Sequence, residues 1–192
     1  MQVHQHIPTK PVTWQRSALR WIPTFFGFPL GGLVAEHISG PVDQLPAALV
    51  GGAITGIILG TVQSWGTGPS GPPARQWILA TGAGLAVGLG VGAAAVNYGT
   101  SMGDLVVQGA ICGLAVGTGQ AIVLRPRIGR LAFAWAPTLS AVWALGWAIT
   151  TAAGIDVESQ YTVFGSSGAL VVTAATAILP VILTTHTSRG AS

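Results

Sequence analysis

Two stretches decide the fold of this chain: Gly52-Ala-Ile-Thr-Gly56-Ile-Ile-Leu-Gly60-Thr-Val-Gln63 and Gly109-Ala-Ile-Cys-Gly113-Leu-Ala-Val-Gly117-Thr-Gly-Gln120. Seven of their twelve positions are identical at an offset of 57 residues, including the terminal Thr-x-Gln. Glycine at every fourth position places Gly52, Gly56 and Gly60 on one helical stripe, and Gly109, Gly113 and Gly117 on another. A third series, Gly84, Gly88 and Gly92, has the same spacing. Glycine costs a helix ~1 kcal/mol relative to alanine in water. In hydrocarbon the backbone must bond within its own helix, and small residues let two helices approach closely. The stripes therefore read as packing faces of membrane helices. Room for a passing solute is the alternative use of the same smooth groove.

Working outward, the repeat extends to the ends of the chain. In a sixth apolar stretch Gly165 aligns with Gly109, Leu170 with Leu114 and Ala177-Ile178 with Ala121-Ile122, and Thr176 takes the place of Gln120. Trp21-Ile-Pro-Thr24 opens one stretch and Trp135-Ala-Pro-Thr138 another, 114 residues later. Trp77, with Thr81 just beyond, opens a third, and Arg20, Arg75 and Arg130 precede the three at intervals of 55. The predicted fold is all-α: a polytopic membrane protein with six transmembrane helices at Ala18–Ile38, Leu45–Trp65, Gln76–Tyr98, Asp104–Leu124, Leu131–Gly154 and Tyr161–Thr185. Each has the ~20 residues needed to cross ~30 Å of hydrocarbon. Three hairpins, about 18–65, 76–124 and 131–185, run in parallel and predict a pseudo-threefold bundle. They form one domain, 18–185, between tails 1–17 and 186–192. The first span reads as an uncleaved anchor rather than a signal peptide.

Charge supplies the orientation. Threading the chain through six spans puts Lys10, Arg16, Arg20, Arg75, Arg125, Arg127, Arg130 and Arg189 on one face. Glu36, Asp43, Asp104, Asp156 and Glu158 fall on the other. Lys and Arg are retained on the cytoplasmic side, which predicts that both termini are cytoplasmic. Only 7% of the residues are charged and half are hydrophobic, against ~25% charged in a soluble domain. The 192 residues leave no room for a soluble catalytic domain beside six spans. The pI near 9.8 reflects arginines at a membrane face, not a nucleic-acid partner. Arg125, Arg127 and Arg130, in an expected loop, act as a topology signal and attract anionic lipid head groups at about 1 kcal/mol per residue. Cys112, the lone cysteine, reads as small apolar filler, and the His4-x-His6 pair lacks the further ligands a metal needs.

Gln63 and Gln120 continue their glycine stripes, and Thr176 holds the equivalent place in the last span. Thr24, Thr81 and Thr138 are expected at similar depth, giving a polar layer one to two turns inside the cytoplasmic face. It reads either as interhelical hydrogen bonding, ~0.6 kcal/mol per contact and up to ~1.7, or as a constriction selecting a small polar solute. Trp21, Trp77 and Trp135 are expected as interface anchors, where an amphipathic indole prefers to sit. Trp143 and Trp147 read as lipid-facing bulk or as a stacking platform, and the acidic residues as a solvated rim or a cation-attracting vestibule.

No charge lies deep in a span, which argues against an ion-driven pump. No metal, nucleotide or catalytic motif is present, so neither an enzyme nor a cofactor is expected. The Gly-Ala-x-x-Gly-x-x-x-Gly-x-x-Gln pattern, followed by an arginine and then a tryptophan, resembles a scattered group of small bacterial multi-pass membrane proteins. That resemblance implies the bacterial inner membrane and no particular activity. Two functional readings follow. One is an accessory or structural subunit packed into a larger membrane complex, or a homo-oligomer, through its glycine faces. The other is a passive channel or transporter for a small neutral or weakly cationic solute.

Overall fold

The computed structural model describes residues 14–155 and 166–189, and every regular element among them is helical. Helix α1 (Trp14–Trp21) passes through a 3-10 segment (Ile22–Phe26) into α2 (Gly27–Ser39). Pro23 opens that segment; its fixed φ and missing N–H suit a helix start. Helix α3 (Leu45–Thr67) stops at Gly68, whose φ is 64°. Helix α4 (Ala74–Ala95) ends before Tyr98, short of the expected boundary, because Asn97 and Tyr98 take φ of 49° and 59° in the left-handed region. Helix α5 (Met102–Ile128) is opened by a capping box in which Ser101 and Asp104 bond each other's backbone N–H.

Helix α5 runs further than the sequence suggests. Arg125 and Arg127, placed in a loop above, occupy its last turn, where cations meet the negative end of the helix dipole. A 3-10 segment (Gly129–Ala134) leads into α6 (Trp135–Ala152). Helices α7 (Ser166–Thr176) and α8 (Ile178–Arg189) are separated by Ala177 alone. Pro180, in the first turn of α8, has no N–H to donate to the Thr176 carbonyl. Lys10, Asp156, Glu158 and the first residues of the expected sixth span, 161–165, lie outside the described residues.

Five helical runs are long and apolar enough to cross a membrane: Gln15–Ser39, Leu45–Ser70, Ala74–Ala95, Met102–Ala152 and Ser167–His186. The fourth, 51 residues long, joins two stretches expected as separate spans. As a straight rod it would extend roughly 77 Å, more than twice the hydrocarbon thickness. Instead the chain turns at Gly129, which has a φ of 58°, and α6 folds back along α5.

Glycines set the closeness of these pairings. A Cβ on Gly56 would lie 2.7 Å from the Gly82 Cα, and one on Gly60 would lie 2.9 Å from the Ile78 Cα. Gly52 faces the backbone of Leu85 and Ala86, so α3 and α4 are antiparallel and nearly backbone to backbone. Gly84 and Gly88 meet Val116 and Cys112 at 2.7 Å each, and Gly92 meets Gln108, which pairs α4 with α5. Gly109 abuts Trp147, Gly113 abuts Leu139, and Gly117 would reach the Ala136 Cα at 2.6 Å, pairing α5 with α6. Gly27 and Gly31 do the same for α2 on α3, and Gly146 with Gly168 for α6 on α7. The chain then closes on itself, with α8 packed on α1 through a 2.9 Å bond between the Ser17 and Thr184 hydroxyls.

The glycines divide into two classes with opposite expected behaviour. Gly113→Ala drives a methyl into the Leu139 carbonyl and to 2.9 Å from the Ser140 Cα, so about 1–3 kcal/mol of stability is lost to overpacking. Gly32 has nothing within 4 Å of a built Cβ, so Gly32→Ala gains about 0.5–1 kcal/mol of helix propensity. Reversible unfolding in mixed micelles reads both.

Candidate functional site

The polar residues of the predicted layer are joined by indole donors. Trp77 Nε1 donates to Gln63 Oε1 at 3.2 Å, and Trp135 Nε1 donates to Gln120 Oε1 at 2.8 Å. Trp21 Nε1 donates to Thr176 Oγ1 at 3.2 Å, from the first helix to the seventh. Gln120 is the hub. Its Nε2 donates to Thr81 Oγ1 at 2.9 Å and to Gln63 Oε1 at 3.3 Å, so its amide is engaged at both ends and is 1% exposed. Thr81 and Thr176 send their own protons to carbonyls one turn back, Trp77 at 2.8 Å and Val172 at 2.7 Å. Buried polar groups require such partners, because hydrocarbon offers none.

Two placements differ from expectation. Trp21, Trp77 and Trp135 are buried inside the bundle rather than standing in a lipid-facing belt. Each indole finds an acceptor on a neighbouring helix, which offsets the cost of burying its N–H. Thr138 is exposed, and its hydroxyl bonds the Ala134 carbonyl at 2.8 Å, so it lies outside the layer. Thr24 is buried against Gly66, where a Cβ would lie 2.5 Å from its Cγ2. Of the six candidates, the structure thus links Gln63, Gln120 and Thr81 in one cluster, and Thr176 with Trp21 in another. At the same end of the bundle, the Arg20 guanidinium lies 4.9 Å over the Trp65 ring, and its Nε is buried without a hydrogen bond.

Toward the acidic face the interior opens into a cavity of about 550 Å³, within the size range of small-molecule sites. Helices α2 to α7 all contribute. Phe28, Leu85 and Trp143 line it, and Gly32, with nothing within 4 Å of a built Cβ, leaves part of the space. Phe28 meets Trp143 edge-on, with centroids 5.3 Å apart. Trp143 is buried and Trp147 half-buried, and both line this wall instead of facing lipid. Glu36 and Asp43 are at the mouth with Tyr98 and Thr100, and Asp104 serves in its capping box.

Gln108 also lines the cavity, and sequence reading passed over it. It is 9% exposed, and among the described residues nothing hydrogen-bonds its amide. The signal was present: an amide inside a span one residue before Gly109, where the matching position before Gly52 is Gly51.

Gln120→Leu removes a bond to each of Trp135, Gln63 and Thr81 and is expected to cost about 2 kcal/mol at the membrane average per bond. Thr138→Val is expected to leave stability unchanged. Unfolding monitored by tryptophan fluorescence separates the two.

No family model matches this chain, and neither a curated protein nor a solved structure does.

Proposed function

We propose that this chain is a non-enzymatic inner-membrane protein in which six spans, as three parallel hairpins, surround a small-solute site closed toward the cytoplasm. The observation that carries the reading is the cavity, lined from α2 through α7 and separated from the basic end by the hydrogen-bonded layer. The antiparallel contact of α5 with α6 supports counting the 51-residue run as two spans. The threefold relation is supported by the three indole bonds, each joining the opening tryptophan of a hairpin to the second helix of another. It is supported too by the cavity, whose walls include Phe28, Leu85 and Trp143, and Thr55, Cys112 and Ala169, at offsets of 57 or 58 residues.

The basic end is cytoplasmic on the positive-inside rule, with exposed Arg125, Arg127 and Arg130 set to meet anionic lipid. A small neutral or weakly cationic solute enters from the acidic face. Gln63, Gln120 and Thr176 form the inner closure, which must part for the solute to pass. The accessory-subunit reading draws on the same layer: its hydrogen bonds are made within the chain, as in a bundle built only to pack. That reading expects fixed-ratio co-extraction with other chains from the native membrane.

Topology is read by single cysteines in a Cys112→Ala background. Met102→Cys and Ala153→Cys are expected to react with an impermeant maleimide from outside, and Arg127→Cys only after the membrane is opened. Reaction of all three from one side removes the six-span reading. In proteoliposomes the native protein is expected to pass a small neutral solute faster than empty vesicles. The joint Gln63→Leu and Gln120→Leu variant, monodisperse on size exclusion, is expected to return the rate to that baseline. Native flux no greater than that of empty vesicles, with partner chains in fixed ratio, selects the subunit reading.

A further inference from the structure

The cavity is chemically lopsided. Its described lining carries two carboxylates, Glu36 and Asp43, and no Lys, Arg or His, although the whole chain has a formal charge of +3. One wall is aromatic, with Phe28 from α2 and Trp143 and Trp147 from α6. On α2 the lining positions Phe28, Gly32 and Glu36 succeed one another down one face. Eight residues at 1.5 Å each put Glu36 roughly 12 Å along the helix from Phe28. Gln108, 9% exposed as a residue, lines the cavity as well, and among the described residues nothing hydrogen-bonds its amide. An unbonded amide that faces a cavity is free to bond a ligand placed there.

We propose that this cavity binds a lipophilic organic cation, of the quaternary ammonium or arylphosphonium class, with its apolar body against Phe28, Trp143 and Trp147 and its charge balanced by Glu36. Aromatic faces attract such cations through the ring quadrupole, most strongly where water is excluded. The carboxylates at the mouth repel anions of the same shape. Gln108 offers an amide donor and acceptor for a polar substituent on the ligand. The inference rests on the cavity of the proposed pathway but concerns occupancy, not passage, so binding and flux can fail independently.

The test is equilibrium binding of tetraphenylphosphonium to the whole protein in a non-ionic detergent, with tetraphenylborate as the anion of matching shape. One saturable cation site per chain is expected, with no saturable tetraphenylborate site. Glu36→Gln is expected to weaken cation binding about tenfold. Gly32→Phe, with its folding checked by the unfolding midpoint, is expected to abolish it by filling the cavity, which is open within 4 Å of the Gly32 Cβ position. Equal affinity for the two ions, or undiminished binding in folded Gly32→Phe, overturns the proposal. Saturable binding without flux leaves the proposal standing and removes the pathway. Flux without saturable cation binding does the reverse.

Discussion

Close approach of one helix backbone to the next is the constraint on which the rest of this structure depends. Between apolar helices in hydrocarbon there is no hydrophobic drive, so association rests on dispersion at short range and on hydrogen bonds. The contacts of Gly56 on Gly82, Gly84 on Val116 and Gly117 on Ala136 leave no room for a Cβ between the chains. The same stripes fix which side of each helix turns inward, and so leave Ile57, Val91, Leu114 and Ile122 on the outside, as lipid requires. Where glycine instead faces empty space, as Gly32 does, it makes volume rather than contact. One residue type thus builds both the seams and part of the cavity.

The hydrogen-bonded layer closes what the seams leave open. A glutamine in an apolar bundle is stable only if its amide is paired, and Gln120 is paired at both ends. Thr176 stands where the third glutamine would fall. It needs less, accepting from Trp21 and donating to the Val172 carbonyl one turn back. The two amides therefore bond each other, while the threonine bonds Trp21 in a separate cluster. The cavity is uneven as well, aromatic toward α2 and α6 and polar at Gln108 and Thr55.

Much of this was legible in the residues themselves. Apolar length, glycine spacing and the segregation of charge are properties of a helix in a bilayer and need no knowledge of its neighbours. They were enough for an all-helical chain with helices long and apolar enough to cross a membrane, and for stripes that face neighbouring helices. Boundaries set by local backbone chemistry were less so: α4 stops at the left-handed Asn97 and Tyr98, and α5 carries Arg125 and Arg127 into its last turn. What only the tertiary structure decided was where each polar or aromatic side chain finds its partner. Trp21, Trp77 and Trp135 carry the composition of interface anchors, yet acceptors on adjacent helices draw them inside. Thr138 has the right register for the layer but turns its hydroxyl to its own helix. Gln108 and Trp143 become cavity walls together with Gly32, distant in the chain, whose built Cβ would meet nothing within 4 Å. Helical periodicity is a local property, written in one segment at a time. A hydrogen-bond acceptor, or an empty volume, exists only once several segments have come together.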